Sequence, residues 1–252
     1  MEKLSKQDKT SLKKVNNNLL VDVETVNDQR IIMELSCLVV NSKLAITEQH
    51  CYIIQQVWEN EEYRNGKYAK EKLTHWQEML DNGTAELISI YHLYNKLNKL
   101  IRTKKITLFS AYNVGFDYKA IENTYHRYGI DKRPNYKEEN QLYTLEKFCL
   151  WNYAKKHYCS KDYVLWALRN KKFTPTLKLR TNAETLYQYL TEKYNFIETH
   201  FGIEDLQIEY TIFITSVIQN TLDRNNALEL NRNGNWQTIE TYKKELEEKG
   251  WI

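Results

Sequence analysis

Apolar and polar positions change rhythm along the chain. Three segments carry dense apolar character with strand-like alternation: "NLLVDVET" from Asn18, "RIIMELSCLVV" from Arg30 and "LAITEQHCYIIQQVW" from Leu44. Only the short polar breaks "VNDQ" and "NSK" separate them, which predicts an antiparallel meander. The period then lengthens. Ile90, Leu93, Tyr94, Leu97, Leu100 and Ile101 recur at helical spacing within "ELISIYHLYNKLNKLI", and Tyr68 to Met79 reads as helix too. A fourth strand, "ITLFSAYN", leads into the helix "GFDYKAIENTYHRYG", with Gly129 in the position of a C-terminal glycine cap. Further helices follow Pro134. One is opened by "TNAE", where Thr181 and Glu184 have capping-box spacing, and the last long one is "EDLQIEYTIFITSVIQ". The expected class is α/β, a mixed central sheet made of a three-stranded antiparallel meander plus further strands, flanked by helices.

Within the first strand, Asp22 and Glu24 interrupt the apolar run one residue apart. Side chains at i and i+2 share a face, so the two carboxylates stand side by side. Like charges in that position need solvent, a raised pKa, basic partners or a metal ion. More distant acids sharpen the choice. Asp117 follows the fourth strand at the start of a helix, and Asp205 opens the last long helix with His200 just before it. Carboxylates at the ends of separate elements can converge on one point, and oxygen donors gathered there suit a pair of Mg²⁺ or Mn²⁺ ions. Taken singly, Asp117 and Asp205 also fit as helix N-terminal acids favoured by the macrodipole.

Composition leaves this picture standing. The 252 residues, 42% hydrophobic, suffice for a core, and seven Gly and two Pro argue against long disordered tracts. The formal charge of +3 neither demands nor excludes a polyanion. Four cysteines form no CxxC pair, and no apolar N-terminal segment resembles a signal peptide, so a reducing cytoplasm is expected. No apolar run reaches the ~20 residues that span a bilayer, so no membrane association is expected. The organisation expected is a basic arm over 1–16, a single α/β domain over 17–222 and a C-terminal extension with a helix over 223–252.

At these residues the sequence resembles the DnaQ-like 3′–5′ exonucleases of the ribonuclease H-like superfamily, in the subgroup with a histidine in the last motif. Asp22, Glu24 and Thr25 match its first motif, Asn113, Phe116 and Asp117 its second, and His200 with Asp205 its third. The motifs occur in family order over about Asn18 to Asn220, and "TNAETLYQYL…FIETHFGIEDLQIE" is similar to phage-type members. Departures occur around the ligands. Val26 and Asn27 replace a frequent glycine, Tyr112 stands where histidine is common, Phe201 and Gly202 replace a small or basic pair, and Leu206 follows Asp205 in place of alanine.

The resemblance implies a ribonuclease H-like fold and hydrolysis of the terminal phosphodiester with release of nucleoside 5′-monophosphates. It implies two Mg²⁺ or Mn²⁺ ions, with Asp22 shared between them, Glu24 and Asp205 on one of them, and Asp117 acting through water. His200 is the implied general base. Thr25, Asn113 and Phe116 are expected to shape the terminal-nucleotide pocket. Expected substrates are 3′ ends of single-stranded DNA, or of RNA. A proofreading subunit working with a polymerase or replication partner stays open, as does a DnaQ-like module that binds nucleic acid or protein without cutting. The densest basic stretch runs from Lys155 to Arg180 and is interleaved with aromatic residues. It reads either as a solvated helical face or as a phosphate-tracking rim, with Lys171 and Lys172 as candidate substrate contacts.

Overall fold

The computed structural model describes residues 17–158, 160–174, 178–198, 201–218, 247, 248 and 250. The expected arm 1–16, nearly all of 223–252 and the expected general base His200 lie outside the described residues. The chain divides into two compact units, Met1–Phe148 with Thr199–Gln207, and Cys149–Glu198 with Ile208–Ile252.

The first unit is built on a mixed sheet. β1 (Asn17–Thr25), β2 (Ile32–Val40) and β3 (Ile46–Ile54) form the antiparallel meander that the short polar breaks predict. β4 (Glu86–Ile88) adds in parallel to β3, and β5 (Ile106–Ala111) in parallel to β1. With β6 (Glu146–Cys149) the order is β4-β3-β2-β1-β5-β6. Helices α1 (Leu73–Asp81), α2 (Ile90–Thr103) and α3 (Val114–Arg127) complete an α/β arrangement consistent with the ribonuclease H-like fold. Every residue of β2 is buried, so this strand runs through the middle of the core with both faces covered.

Several boundaries differ from the sequence reading: Gln55–Trp58, read as the end of the third strand, is a helical turn, and the helix read over Tyr68–Met79 is broken between Lys70 and Leu73, where α1 starts. Glu86–Ile88 is an edge strand rather than the first turn of the following helix. Ser89 makes the break, since its side chain accepts from the His92 N–H and caps α2 at Ile90. β6 was not expected at all; like β4 it is too short for alternation to register. On α2 the buried set Ile90, Leu93, Tyr94, Leu97 and Ile101 is the apolar stripe read from the spacing. Gly129 ends α3 in the left-handed region at φ 72°, where a residue without Cβ avoids strain.

The second unit holds α4 (Leu150–Tyr158), α5 (Lys161–Arg169) and α6 (Ala183–Thr191). Its interior is aromatic, with Tyr158 against Tyr163 at 4.8 Å and Tyr163 against Tyr189 at 5.1 Å between ring centroids. The phenol of Tyr158 donates to the Asn182 carbonyl at 3.2 Å and that of Tyr163 to the Arg180 carbonyl at 2.9 Å. The cap of α6 is Asn182, not Thr181: its side chain accepts from the Thr185 N–H and hydroxyl. Glu184 instead accepts from the Glu198 N–H at 2.9 Å. α7 (Gly202–Ile218) starts in the first unit and continues into the second. Among the described residues no helix is long and apolar enough to cross a membrane.

Candidate metal centre

β1 delivers Asp22 and Glu24 to one face near its C-terminal end, as the i, i+2 spacing requires. α7 delivers Asp205 in its first turn, where the Asp205 N–H donates to the Phe201 carbonyl at 2.9 Å. Ligand oxygens of Asp22, Glu24 and Asp205 all lie within 4.8 Å of one another. Asp205 is buried and the two β1 acids half-buried. Three hard oxygen donors on two elements, separated by 181 positions between Glu24 and Asp205 in the sequence numbering, form a donor set that fits Mg²⁺ or Mn²⁺.

Asp117 stands beside this group rather than within it. Pairing of β5 with β1 ends at Leu20↔Ser110, and farther along β1 the backbone at Val23 hydrogen-bonds the Asp117 carboxylate. α3 is held there by Thr124, whose hydroxyl accepts the Ile32 N–H at 3.0 Å and donates to the Ala120 carbonyl. Burial pushes the Asp117 carboxyl up to about 8 and the Glu24 charge adds to the rise, while backbone hydrogen bonds at Asp117 and Val23 oppose it.

A cation of the chain itself reaches the acid cluster. Lys72, at the cap of α1, places its Nζ 2.6 Å from Glu24 Oε1 and 5.9 Å from the Phe201 ring centroid. His75, one turn along, stacks on Phe201 with centroids 3.4 Å apart. The start of α1 thus touches both Glu24 and Phe201, which precedes the helix that carries Asp205. Nothing local in the sequence marks Lys72, because its partner lies 48 positions away and only tertiary packing joins them.

The remaining expected residues are placed as follows. Thr25 closes β1 at a register shift next to Glu24. Asn113 is the residue preceding α3; its side chain makes no cap hydrogen bond, while its carbonyl accepts from Phe116 at 2.7 Å and Asp117 at 3.3 Å. Phe116 packs partly into the core, with the Arg30 guanidinium 4.8 Å from its ring centroid. Lys171 and Lys172 belong to the second unit, at the end of α5. Lys171 sits at φ 55°, and the Lys171 and Lys172 N–H groups donate back to Leu168 and Ala167, the pattern of a Schellman motif without its usual glycine. Tyr158 and Tyr163 of the same stretch are core, so they offer no stacking surface.

No protein-family model matches the chain, and no curated protein matches it. Among solved structures, the chain is similar to one titled "Exonuclease X in complex with 5′ overhanging duplex DNA", at 14% identity and a TM-score of 0.42, over 81% of this chain and 92% of that one.

Proposed function

We propose that the protein is a metal-dependent 3′–5′ exonuclease that hydrolyses the terminal phosphodiester of single-stranded nucleic acid, DNA in preference to RNA, and releases nucleoside 5′-monophosphates. The observation that carries this reading is the convergence of Asp22, Glu24 and Asp205 oxygens within 4.8 Å. Those three carboxylates would hold the divalent ions, two per site, with Asp117 acting at one remove. Ions bound there supply Lewis-acid polarisation and charge neutralisation at a phosphodiester.

The chain's own groups then divide the rest of the chemistry. His200, two positions before the helix that carries Asp205, takes the proton of the attacking water on an imidazole nitrogen. Asn113, Phe116 and Thr25 border the acids and shape the seat of the terminal nucleotide. Lys72 offsets the charge on Glu24 and keeps the acid cluster tolerable before loading. Lys171 and Lys172 contact the phosphate backbone of the strand, which would make binding salt-dependent. The reading includes action alone or beside a polymerase.

The test is digestion of matched 3′-labelled and 5′-labelled single-stranded oligonucleotides, DNA and RNA, with Mg²⁺, Mn²⁺ or EDTA. Expected is stepwise loss from the 3′ end with mononucleotide products, abolished by EDTA and by Asp22→Ala. Cleavage that survives both treatments would overturn the assignment.

A further inference from the structure

Glu34 is fully buried in the middle of β2, and the proposed chemistry makes no use of it. It is the register partner of Glu24 across the β1–β2 ladder, as Ser36 is of Asp22, so each pair projects from the same face of the sheet. Three donors surround its carboxylate. The Trp76 indole N–H donates to Oε2 at 2.8 Å, the Ser36 hydroxyl to Oε1 at 2.8 Å and the Cys51 thiol to Oε1 at 3.5 Å. The fourth neighbour is backbone. Gly202, the first residue of α7, lies so close that a Cβ on it would stand 2.6 Å from Glu34 Oε1 and 3.1 Å from Ser36 Oγ and Cβ. Asp205 follows three positions later in the same turn.

We propose that Glu34 is a positioning residue for Asp205: held by Trp76 and Ser36, its carboxylate forms the seat on which the first turn of α7 rests at Gly202. This rests on the metal-site reading. A carboxylate against the N-terminal turn is favoured by the helix dipole, and metal ligands tolerate displacement of only about 0.5 Å. A side chain at 202 forces a shift of either the Glu34 carboxylate, which Trp76 and Ser36 hold in place, or the helix start, and a shift of the helix start carries Asp205 away from Asp22 and Glu24. Glycine at 202 and glutamate at 34 are therefore one device. The Trp76 contact also ties the seat to α1, the helix whose cap places Lys72 on Glu24.

The experiment is Mn²⁺ titration calorimetry on the full chain without nucleic acid, with hydrogen exchange of the amides of residues 203–206 alongside. Gly202→Ala should weaken Mn²⁺ binding by about 10–100-fold, as loss of a ligand's support does. Glu34→Asp, shorter by one methylene, should recover much of that affinity in the Gly202→Ala background. Trp76→Phe, which removes one donor together with part of the buried ring system, should weaken Mn²⁺ binding in the same direction and guards against a Gly202 variant that does not fold. In both single changes, Gly202→Ala and Trp76→Phe, exchange at 203–206 should quicken. Wild-type Mn²⁺ affinity in both Gly202→Ala and Trp76→Phe, or a Gly202→Ala defect that Glu34→Asp does not relieve, overturns the proposal. An Asp205→Ala variant that binds Mn²⁺ normally would sink the metal-site reading instead, and exchange at 203–206 then decides the seat alone: unchanged rates in Gly202→Ala and Trp76→Phe remove it.

Discussion

Glu24 and Glu34 face each other across two strands, yet their surroundings differ in kind. Glu24 is half-buried, clustered with two other carboxylates and touched by the ammonium of Lys72. Glu34 is sealed in the core among neutral N–H, O–H and S–H donors. Hydrogen bonds from fixed dipoles compensate a buried carboxylate permanently and leave nothing to exchange. A cluster of carboxylates that holds a lysine ammonium can trade it for a more compact and more highly charged cation. The same residue type, at the two ends of one ladder rung, is sealed in the core in one setting and, on the proposed reading, a metal ligand in the other.

The contrast breaks most visibly under truncation. Asp22→Ala or Asp205→Ala should reduce cleavage to background while the melting temperature holds or rises, since like charges are separated. Glu34→Ala should do the reverse to stability: the Trp76 and Ser36 donors each lose a buried acceptor, at about 1–3 kcal/mol apiece, and a chain of this size loses about 2–4 °C per kcal/mol. Matching signatures in the two variants would erase the distinction. Next in size, His200→Ala should slow hydrolysis by about 10²–10⁴-fold with Mn²⁺ affinity retained, which stopped-flow kinetics and calorimetry can separate. A collapse of affinity there would make His200 part of the acid cluster's support.

Smaller effects sharpen the Glu24 side. Lys72→Met should tighten Mn²⁺ binding severalfold, because the ion no longer displaces an ammonium, and should lower the melting temperature of the metal-free protein. Weaker Mn²⁺ binding would mean that Lys72 holds Glu24 in place rather than standing in for an ion. A third carboxylate sets the scale for solvent screening. Glu48 on β3 is held below its ordinary range mainly by the hydrogen bond from Lys104, helped by His50 and opposed by partial burial. Its unfolded form takes a proton at higher pH than its folded form. The associated stability is thus present above the ordinary glutamate pKa and disappears as pH falls through the lowered one. Glu48→Gln should flatten that acid limb by less than about 1 kcal/mol, read from urea melts at stepped pH.

The parts of this molecule legible in the sequence are those encoded locally. The meander announced itself through apolar runs and two short breaks, α2 through its 3.6-residue stripe, and the end of α3 through Gly129. The acids on β1 were legible because charge inside an apolar strand is itself a signal. The same signal at Glu34, within "RIIMELSCLVV", passed unused. Its meaning depends on Trp76 and Gly202, which lie 42 and 168 positions away in the numbering. Lys72 was invisible for the same reason, being one lysine among many until α1 folds over β1. β4 and β6 escaped because edge strands of three and four residues carry no period, and the Asn182 cap because an adjacent threonine offered an equally good spacing.

The thiol of Cys51 turns the Glu34 seat into a clock. Burial, reinforced by the Glu34 charge, drives this thiol far above its ordinary range, and burial pushes the thiol of Cys37 up to about 12. The thiolate is the nucleophile, so neither sulfur reacts while the core stays shut. Alkylation of Cys51 under native conditions therefore counts the moments at which β2 and β3 part around Glu34. Its rate, followed by mass spectrometry, should fall when a divalent ion ties Asp205 to β1, giving a chemical record of site closure that needs neither a substrate nor turnover.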